Sequence, residues 1–276
     1  MKLIEPKVEL LSELDVTPES HIARCARVCY GKEYKEPNQE ADEKMVNGLI
    51  KRGHLSMLRH SSVYLSFIGN LPTDFISEYV NTKRVEDYIC ASTNKQFMLE
   101  SDNKAKLLSY IPSAEFLNLC KEYPELFELY RMTFCITTQI STSRELNRVS
   151  PNNIAERSTR YCSSKGDLEI CKPWWYDNDK HGLYRLNYTL YCRFAEDGYN
   201  MLLESGMKPE DARGILPLDT ATKVIYTYSI REWQHILDLR LYDKTGKAHP
   251  NAHVVMQMVK DQINAFAKEH NIDYQV

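Results

Sequence analysis

The sequence predicts an α+β fold, in which a mixed or antiparallel sheet is packed with helices, formed by one domain over residues 1–276. Alternating polar and apolar side chains indicate an opening strand within residues 1–15 and a half-exposed antiparallel strand at about 61–68. Thr17 before Pro18 is typical of a helix start, with the threonine as N-cap. Strand signals and helix signals are therefore both present in the first quarter of the chain.

The other elements follow from apolar periodicity and from the positions of glycine and proline. The second helix should end at Gly53, in the position after a helix that favours glycine. Ser141 or Ser143 should cap a helix that Pro151 ends or kinks, and a polar loop at 152–162 should follow. Further helices are expected at about 39–52, 72–88, 113–132 and 181–205, a strand or loop at about 94–99, and strands at about 132–138 and 168–174. We expect about 70–130 to be a helical insertion with a packing role.

Bulk composition limits the classes of partner. The chain has 276 residues, 43% hydrophobic and 26% charged, and a formal net charge of −3, so no global basic field attracts nucleic acid or an acidic membrane surface. We find no apolar run of about 18 residues and no signal-peptide core at the N-terminus, so a cytoplasmic protein is expected.

The eight cysteines are scattered along the chain and predict neither a disulfide framework nor a zinc site. No Cys-x-x-Cys pair occurs, and Cys25 and Cys29, four residues apart on a predicted helix, have no matching second pair. We expect all eight to be reduced thiols, mostly buried, and we expect no bound metal.

Residues 143–162 concentrate the chemistry of the chain. Arg144, Arg148, Arg157 and Arg160 are interleaved there with polar side chains, and the apolar stripe of an ordinary amphipathic helix is almost absent. Planar, permanently charged donors at this density suit an anion with several oxygens, such as a phosphate. Because the net charge of the chain is slightly negative, this local cluster indicates a small anionic ligand rather than a polyanion.

The end of this stretch resembles a known signature. Glu-Arg-Ser-Thr-Arg-Tyr at 156–161 is similar to the nucleotide-binding end of the flavin-dependent thymidylate synthase motif, in which an Arg-His-Arg triplet lies upstream. Arg148 falls on the first arginine of that triplet, Val149 and Ser150 replace the other two residues, and Asn153 takes the place of an intervening serine.

Four more segments resemble the same family in the same order. A Gly-His-x-Ser-x-x-x-His loop begins at Gly53, Ala-Arg-Gly-Ile-Leu-Pro begins at Ala212, a Ser-Ile-Arg-Glu-Trp helix begins at Ser229, and Ala-His-Pro begins at Ala248. His54, Ser56 and His60 fit the first of these, which touches flavin in the family. Several weak motifs in the correct order are more specific than any one of them.

The resemblance implies reductive methylation of dUMP to dTMP, with methylenetetrahydrofolate as the carbon donor, reduced FAD as the hydride donor and NADPH as the reductant of the flavin. It implies a homotetramer with active sites at subunit interfaces. It assigns Arg240 and Arg148 to catalysis, and Arg148, Glu156, Arg157, Ser158, Thr159, Arg160, Arg213 and Arg240 to the nucleotide. It assigns His54, Ser56, Ser229, Arg231, His235 and His249 to the flavin.

Two alternatives remain open at this point, because Val149 and Ser150 replace a histidine and an arginine of the triplet. The chain could be a divergent paralogue that modifies another pyrimidine nucleotide. It could also be a homologue that binds a nucleotide without catalysis.

Overall fold

The structure, a computed structural model, describes residues 1–31, 38–101, 109–149, 153–160, 168–180 and 182–276. Within these ranges the chain forms helices and mainly antiparallel sheets, which confirms the predicted fold class. The strands are β1 (Lys2–Ile4), β2 (Lys7–Leu10), β3 (Ser62–Ile68), β4 (Asn81–Val85), β5 (Tyr88–Asn94), β6 (Tyr110–Ile111), β7 (Arg131–Gln139), β8 (Ile154–Glu156), β9 (Glu169–Cys171) and β10 (Ala221–Ser229).

The helices surround the sheets and differ widely in length. Short 3-10 turns at Leu55–His60, Thr73–Phe75, Pro124–Leu129, Tyr176–Asn178 and Arg213–Ile215 supplement them. The α-helices are α1 (Pro18–Val28), α2 (Gln39–Lys51), α3 (Lys95–Glu100), α4 (Ser113–Glu122), α5 (Ile140–Asn147), α6 (Leu183–Glu204), α7 (Pro209–Ala212), α8 (Ile230–Arg240) and α9 (Pro250–Glu269).

A four-stranded antiparallel sheet, ordered β2-β7-β10-β8, forms the centre of the fold. β7 and β10 pair over nine residues, from Ala221 opposite Gln139 to Ser229 opposite Arg131. Every residue of β7 is buried, because helices cover both faces of the sheet. A second antiparallel sheet has the order β4-β5-β3-β6, and β1 pairs with β9 in parallel.

The two faces of the central sheet pack against different helices. On one face, Phe134 and Tyr226 contact Trp233 of α8 edge-on, within the main hydrophobic core. On the other face, Cys135 and Ile225 pack with Cys25 of α1. Removing apolar surface from water on both faces supplies the main driving force for this arrangement.

Helix boundaries with clear local signals were predicted well. Thr17 caps α1 and accepts a hydrogen bond from the backbone N–H of Ser20, and α2 ends just before Gly53, whose φ is +72°. The long helix and the strand predicted at 132–138 are confirmed as α6 and β7. The opening strand is divided into β1 and β2, and the strand predicted at 168–174 is reduced to β9.

The helix predicted at 72–88 is wrong. Phe75 is buried there, but Ile76 is 73% exposed, so the apolar residues do not form one helical face. The segment instead supplies β4 and the first residue of β5, because β4 pairs with β5, which in turn pairs with β3 along seven residues. The strand or loop expected at 94–99 is α3, capped by the Asn94 side chain. The described part of 70–130 thus contributes sheet as well as helix.

Four further features differ from the predictions. The helix predicted at 113–132 ends at Glu122, and β7 begins at Arg131. β3 is covered on both faces rather than half-exposed, because Tyr64 stacks on Phe116 at 4.2 Å between ring centroids on one face and Phe67 packs against Phe75 on the other. Gln139, rather than Ser141 or Ser143, precedes α5, and β8 occupies part of the loop predicted at 152–162. Ser150 and Pro151 lie outside the described residues.

Candidate functional site

The segment after β8 runs alongside the edge of the central sheet. The N–H of Arg157 donates to the carbonyl of Lys223 at 2.9 Å, which extends the contact between β8 and β10 by one residue. The N–H of Ser158 donates to the carbonyl of Cys29, just beyond α1, at 3.0 Å. Backbone hydrogen bonds therefore fix where the side chains of residues 158–160 begin.

Arg160 and Arg213 meet in what we call the Arg160–Arg213 cluster, formed by Ser158, Thr159, Arg160, Glu210 and Arg213. Nη1 of Arg213 donates to Oγ1 of Thr159 at 2.7 Å. Nε and Nη2 of Arg160 donate to Oε2 of Glu210 at 3.2 and 3.1 Å, and the N–H of Arg160 donates to Oγ of Ser158. The structure thus brings together four predicted nucleotide-binding residues that come from both sides of α6.

Glu156 lies at the end of β8 and accepts hydrogen bonds from uncharged side chains. Oγ of Ser143 and Oγ1 of Thr222 donate to its Oε1 at 2.8 and 3.1 Å, and the Asn147 amide donates to Oε2 at 3.5 Å. The hydroxyl of Tyr226 donates to Oδ1 of Asn147 at 2.7 Å. Burial raises the pKa of Tyr226 well above its ordinary value, so the phenol remains a donor. These contacts fix Glu156 against α5.

Arg240, at the end of α8, belongs to a second group of residues that we call the Arg240 cluster, formed by Glu145, Arg240 and His249. Nε of Arg240 lies 3.3 Å from the carbonyl oxygen of Glu145 and 3.7 Å from its Oε1. The same Oε1 accepts a hydrogen bond from the N–H of His249 at 3.2 Å. The Arg240 side chain is 15% exposed, so its orientation is well defined by its neighbours.

Arg231 begins the same helix but faces another environment. Its Nη2 donates to Glu128 at 2.6 Å and to the carbonyl of Thr82 at 3.0 Å. Burial opposes ionisation of Glu128, but hydrogen bonds from Arg231 and Lys83 outweigh it and lower the pKa of that carboxyl. Ser229 caps α8 through a capping box with Glu232. This predicted flavin-binding serine therefore has a structural role as the cap of α8.

The remaining predicted flavin-binding residues have exposed side chains. His54 and Ser56 lie at the start of the 3-10 turn Leu55–His60, and His235 lies one turn after Arg231 on α8. His249 is exposed and caps α9, where its Nδ1 accepts a hydrogen bond from the N–H of Asn251. These residues stand on three different elements.

His60, the second histidine of the first motif, is completely buried. Its Nδ1 lies 2.8 Å from Oγ1 of Thr227, which contacts Oγ1 of Thr133 at 2.8 Å, and Thr133 in turn contacts Nε2 of His21 at 3.1 Å. Nε2 of His60 has no partner among the described residues. Burial, assisted by the charge of Arg131, lowers the pKa of His60 to about 3, so the ring is neutral.

The structure describes only one of the two residues that depart from the family triplet. Val149 is partly buried and packs against the main hydrophobic core, whereas Arg148 before it is exposed at the C-terminal cap of α5. Ser150 lies outside the described residues.

Two acidic residues in these clusters were missed in the sequence. Glu210 contacts Arg160, and Glu145 contacts Arg240. Both lie within or beside the matched motifs, but the partner of each is distant along the chain, by 50 and 95 residues. Only a prediction of tertiary contacts could have paired them.

The part of the chain that the structure describes has neither a membrane-spanning helix nor a metal-binding cluster. None of the helices there is both long enough and apolar enough to cross a lipid bilayer. No group of three or more His, Cys, Asp or Glu side chains in those ranges is placed to hold a metal ion. Seven of the cysteines are free thiols, six of them buried, and Cys162 lies outside the described ranges.

The related proteins found by comparison of sequences carry similar names. A flavin-dependent thymidylate synthase from Synechocystis sp. is 24% identical over 169 residues, which cover 54% of this chain and 72% of that protein. A protein of Paramecium bursaria Chlorella virus 1, named "Probable flavin-dependent thymidylate synthase", is 35% identical over 75 residues. That alignment covers 27% of this chain and spans only 31% of the viral protein.

Among solved structures, the UMP/dUMP methylase PolB from Streptomyces cacaoi, bound with 5-Br dUMP, aligns at 20% identity and a TM-score of 0.44. The alignment covers 97% of this chain and 93% of PolB. The family model described as "Thymidylate synthase complementing protein" matches residues 78–267, well over half of the chain. The chain therefore belongs to the thymidylate synthase complementing protein family.

Proposed function

We propose that the protein catalyses reductive methylation of dUMP to dTMP, with methylenetetrahydrofolate as the carbon donor and reduced FAD as the hydride donor. The observation that carries this proposal is the Arg160–Arg213 cluster, because two guanidinium groups and two hydroxyl groups converge there on one small region. The names of relatives in the same family support the nucleotide substrate and the flavin.

In this proposal the Arg160–Arg213 cluster holds the phosphate of the nucleotide. A guanidinium presents parallel N–H groups that match two phosphate oxygens, and Ser158 and Thr159 add hydroxyl donors. Arg157 and the exposed Arg148 add positive charge near the same segment. Glu156, fixed by Ser143 and Thr222, keeps the start of the segment in place.

Arg240 is assigned to the carbonyl edge of the uracil. Its Nε and Nη1 bond to carbonyl oxygens of Glu145 and Leu239, and in the described part of the chain its Nη2 makes no hydrogen bond. A preorganised donor of this kind stabilises the negative charge that develops on the uracil oxygen as carbon 5 becomes nucleophilic. Positioning of the reacting partners also lowers the activation barrier, by roughly 7–11 kcal/mol in well-oriented systems.

Five of the six predicted flavin-binding residues, all except the buried helix cap Ser229, fit the chemistry of FAD. The imidazoles of His54, His235 and His249 and the hydroxyl of Ser56 are exposed, and Arg231 is 41% exposed beside Glu128. Such donors suit the diphosphate and the ring carbonyl oxygens of a flavin. When bound, reduced flavin supplies the hydride, and NADPH is proposed to regenerate it. The protein side chains bind and orient the partners.

We include the homotetramer and shared active sites in the proposal. The supporting feature is α6, which carries apolar side chains that are each more than half exposed: Leu183, Tyr184, Leu186, Tyr191, Phe194 and Met201. Contiguous exposed apolar surface of this kind is typical of protein–protein contacts. The helix also leads directly into α7 and Arg213, so contacts along it would bring a second copy near the Arg160–Arg213 cluster.

A second candidate function rests on Val149. Its hydrocarbon side chain packs against the core and has no donor or acceptor to supply a hydrogen bond where the family triplet has a histidine. A paralogue that modifies another pyrimidine nucleotide, or a homologue that only binds a nucleotide, would fit this substitution.

Two measurements test the proposal. We expect the purified protein to show a flavin absorption spectrum that changes when dUMP is added. With methylenetetrahydrofolate, FAD and NADPH present, we expect release of tritium from carbon 5 of labelled dUMP. Arg160→Gln should abolish release at low dUMP concentration, and the control Lys268→Gln, which removes an exposed positive charge near the end of α9, should not.

The outcomes separate the candidates. Turnover of another pyrimidine nucleotide without tritium release from dUMP would favour the paralogue. Nucleotide binding without flavin binding or turnover would favour the non-catalytic homologue.

A further inference from the structure

The guanidinium assigned above to the phosphate is already bonded to a carboxylate. Nε and Nη2 of Arg160, the edge of the side chain that suits bidentate contacts, both point to Oε2 of Glu210. The backbone carbonyl of the same glutamate accepts a hydrogen bond from Nε of Arg213 at 3.1 Å. Glu210 therefore contacts both arginines, one through its side chain and one through its backbone.

We propose that Glu210 is an internal counter-anion that competes with phosphate for Arg160. This competition weakens nucleotide binding at the site and speeds nucleotide exchange. The inference rests on the proposed function, since it assumes that the cluster binds a phosphate. A phosphate that takes the Nε–Nη2 edge of Arg160 must displace the Glu210 carboxylate, because two anions on one guanidinium edge repel each other.

The geometry allows this displacement without disturbing the cluster. The side chains of Arg160 and Glu210 are 54% and 35% exposed, so water can solvate the carboxylate once it turns away. The hydrogen bonds of Arg213 go to the Glu210 carbonyl and to Thr159, and neither depends on the Glu210 carboxylate. The backbone frame therefore stays in place while one side chain moves.

Competition of this kind acts equally on substrate and product, because both carry the same phosphate. It lowers binding without changing the stabilisation of the transition state relative to the bound substrate. Its expected benefit is faster release of the product, which limits turnover in many enzymes.

The test compares wild type with Glu210→Gln, which removes the charge and keeps the backbone carbonyl and the side-chain length. Calorimetric titration would measure the dissociation constants of three probes: dUMP, inorganic phosphate and the neutral nucleoside deoxyuridine. We expect dUMP and phosphate to bind up to about fivefold more tightly to the variant, the range that exposed ion pairs span. Deoxyuridine should be unaffected, and the difference should shrink at high salt. Glu269→Gln, an exposed substitution on α9, is the matched control.

Unchanged or weaker binding of both phosphate-bearing probes to Glu210→Gln would overturn the inference. Weaker binding would mean that Glu210 orients Arg160 in the complex instead of competing with the ligand. Glu210→Ala provides a second variant if the amide disturbs α7, with tighter phosphate binding expected again.

The probes also separate this inference from the proposed function. Tighter phosphate binding to the variant, with no dUMP binding by either protein, would support the counter-anion and reject the proposed substrate. Turnover of dUMP with unchanged phosphate affinity would do the reverse.

Discussion

Acidification should destabilise the protein through His60. The pKa of this buried imidazole is about 3 in the folded chain, against an ordinary value of 6.5. An unfolded chain therefore binds a proton on this residue at pH values where the folded chain does not, and folding stability is lost as the pH falls below about 6.5. From these values the loss between about pH 7.5 and about pH 5.5 is ~1.4 kcal/mol for this one group.

The pH dependence of the whole protein contains other contributions. Burial, with the charge of Arg24, also lowers the pKa of His21, which adds a loss of the same sign. Burial raises the pKa of Glu13, so its contribution has the opposite sign, because the folded chain holds a proton that the unfolded chain has released. A single titration of wild type would therefore not isolate His60.

A matched pair of proteins isolates it. Urea unfolding, followed by tryptophan fluorescence, would be measured at both pH values for wild type and for His60→Gln, whose amide can still bond to Thr227. We expect the wild-type free energy of unfolding to fall by ~1.4 kcal/mol more than that of the variant. The exposed His235→Gln should behave as wild type. Equal pH dependence in wild type and His60→Gln would refute the assignment of a neutral, buried imidazole.

Three further predictions concern the site, a helix cap and the surface of α6. Arg240→Gln should lower kcat in the tritium-release assay by a factor of about 10²–10³, as expected for a lost charge-stabilising donor, while Lys268→Gln on α9 leaves it unchanged. Ser229→Ala should lower the free energy of unfolding in urea by about 1 kcal/mol, and the exposed Thr245→Ala by much less; equal losses would contradict the capping role. Leu186→Glu should reduce the mass measured by light scattering if α6 forms a contact between copies, and an unchanged mass would exclude that contact.

Local signals explain why some elements could be predicted from the sequence. Thr17 and Gly53 mark helix ends by chemistry that depends on only a few neighbouring residues. The segment at 72–88 has no local signal of this kind. Its conformation is determined by pairing of β4 and β5 within a sheet that also contains β3. Short apolar runs are ambiguous between helix and strand, and only the distant partner decides.

The same distinction applies to the site. Convergence of Arg160, Arg213 and Arg240 was expected only from the family resemblance. The structure places Arg160 and Arg213 around Glu210 and Thr159, and it places Arg240 beside Glu145 in the other cluster. The carboxylates of Glu210 and Glu145 were not predicted, because the sequence does not say which of 38 acidic residues reaches which arginine. Ion-pair partners are chosen by the tertiary fold.

The helix α5 separates Glu156 at the end of β8 from the Arg240 cluster. This eight-residue helix touches Glu156 through Ser143 and Asn147, and it touches Arg240 and His249 through Glu145 on its other side. A helix with its side chains is about 10–12 Å across. About one helix diameter therefore separates Glu156 on the β8 side from Arg240. Substitution of core residues beneath α5 would change this distance without altering either charged group.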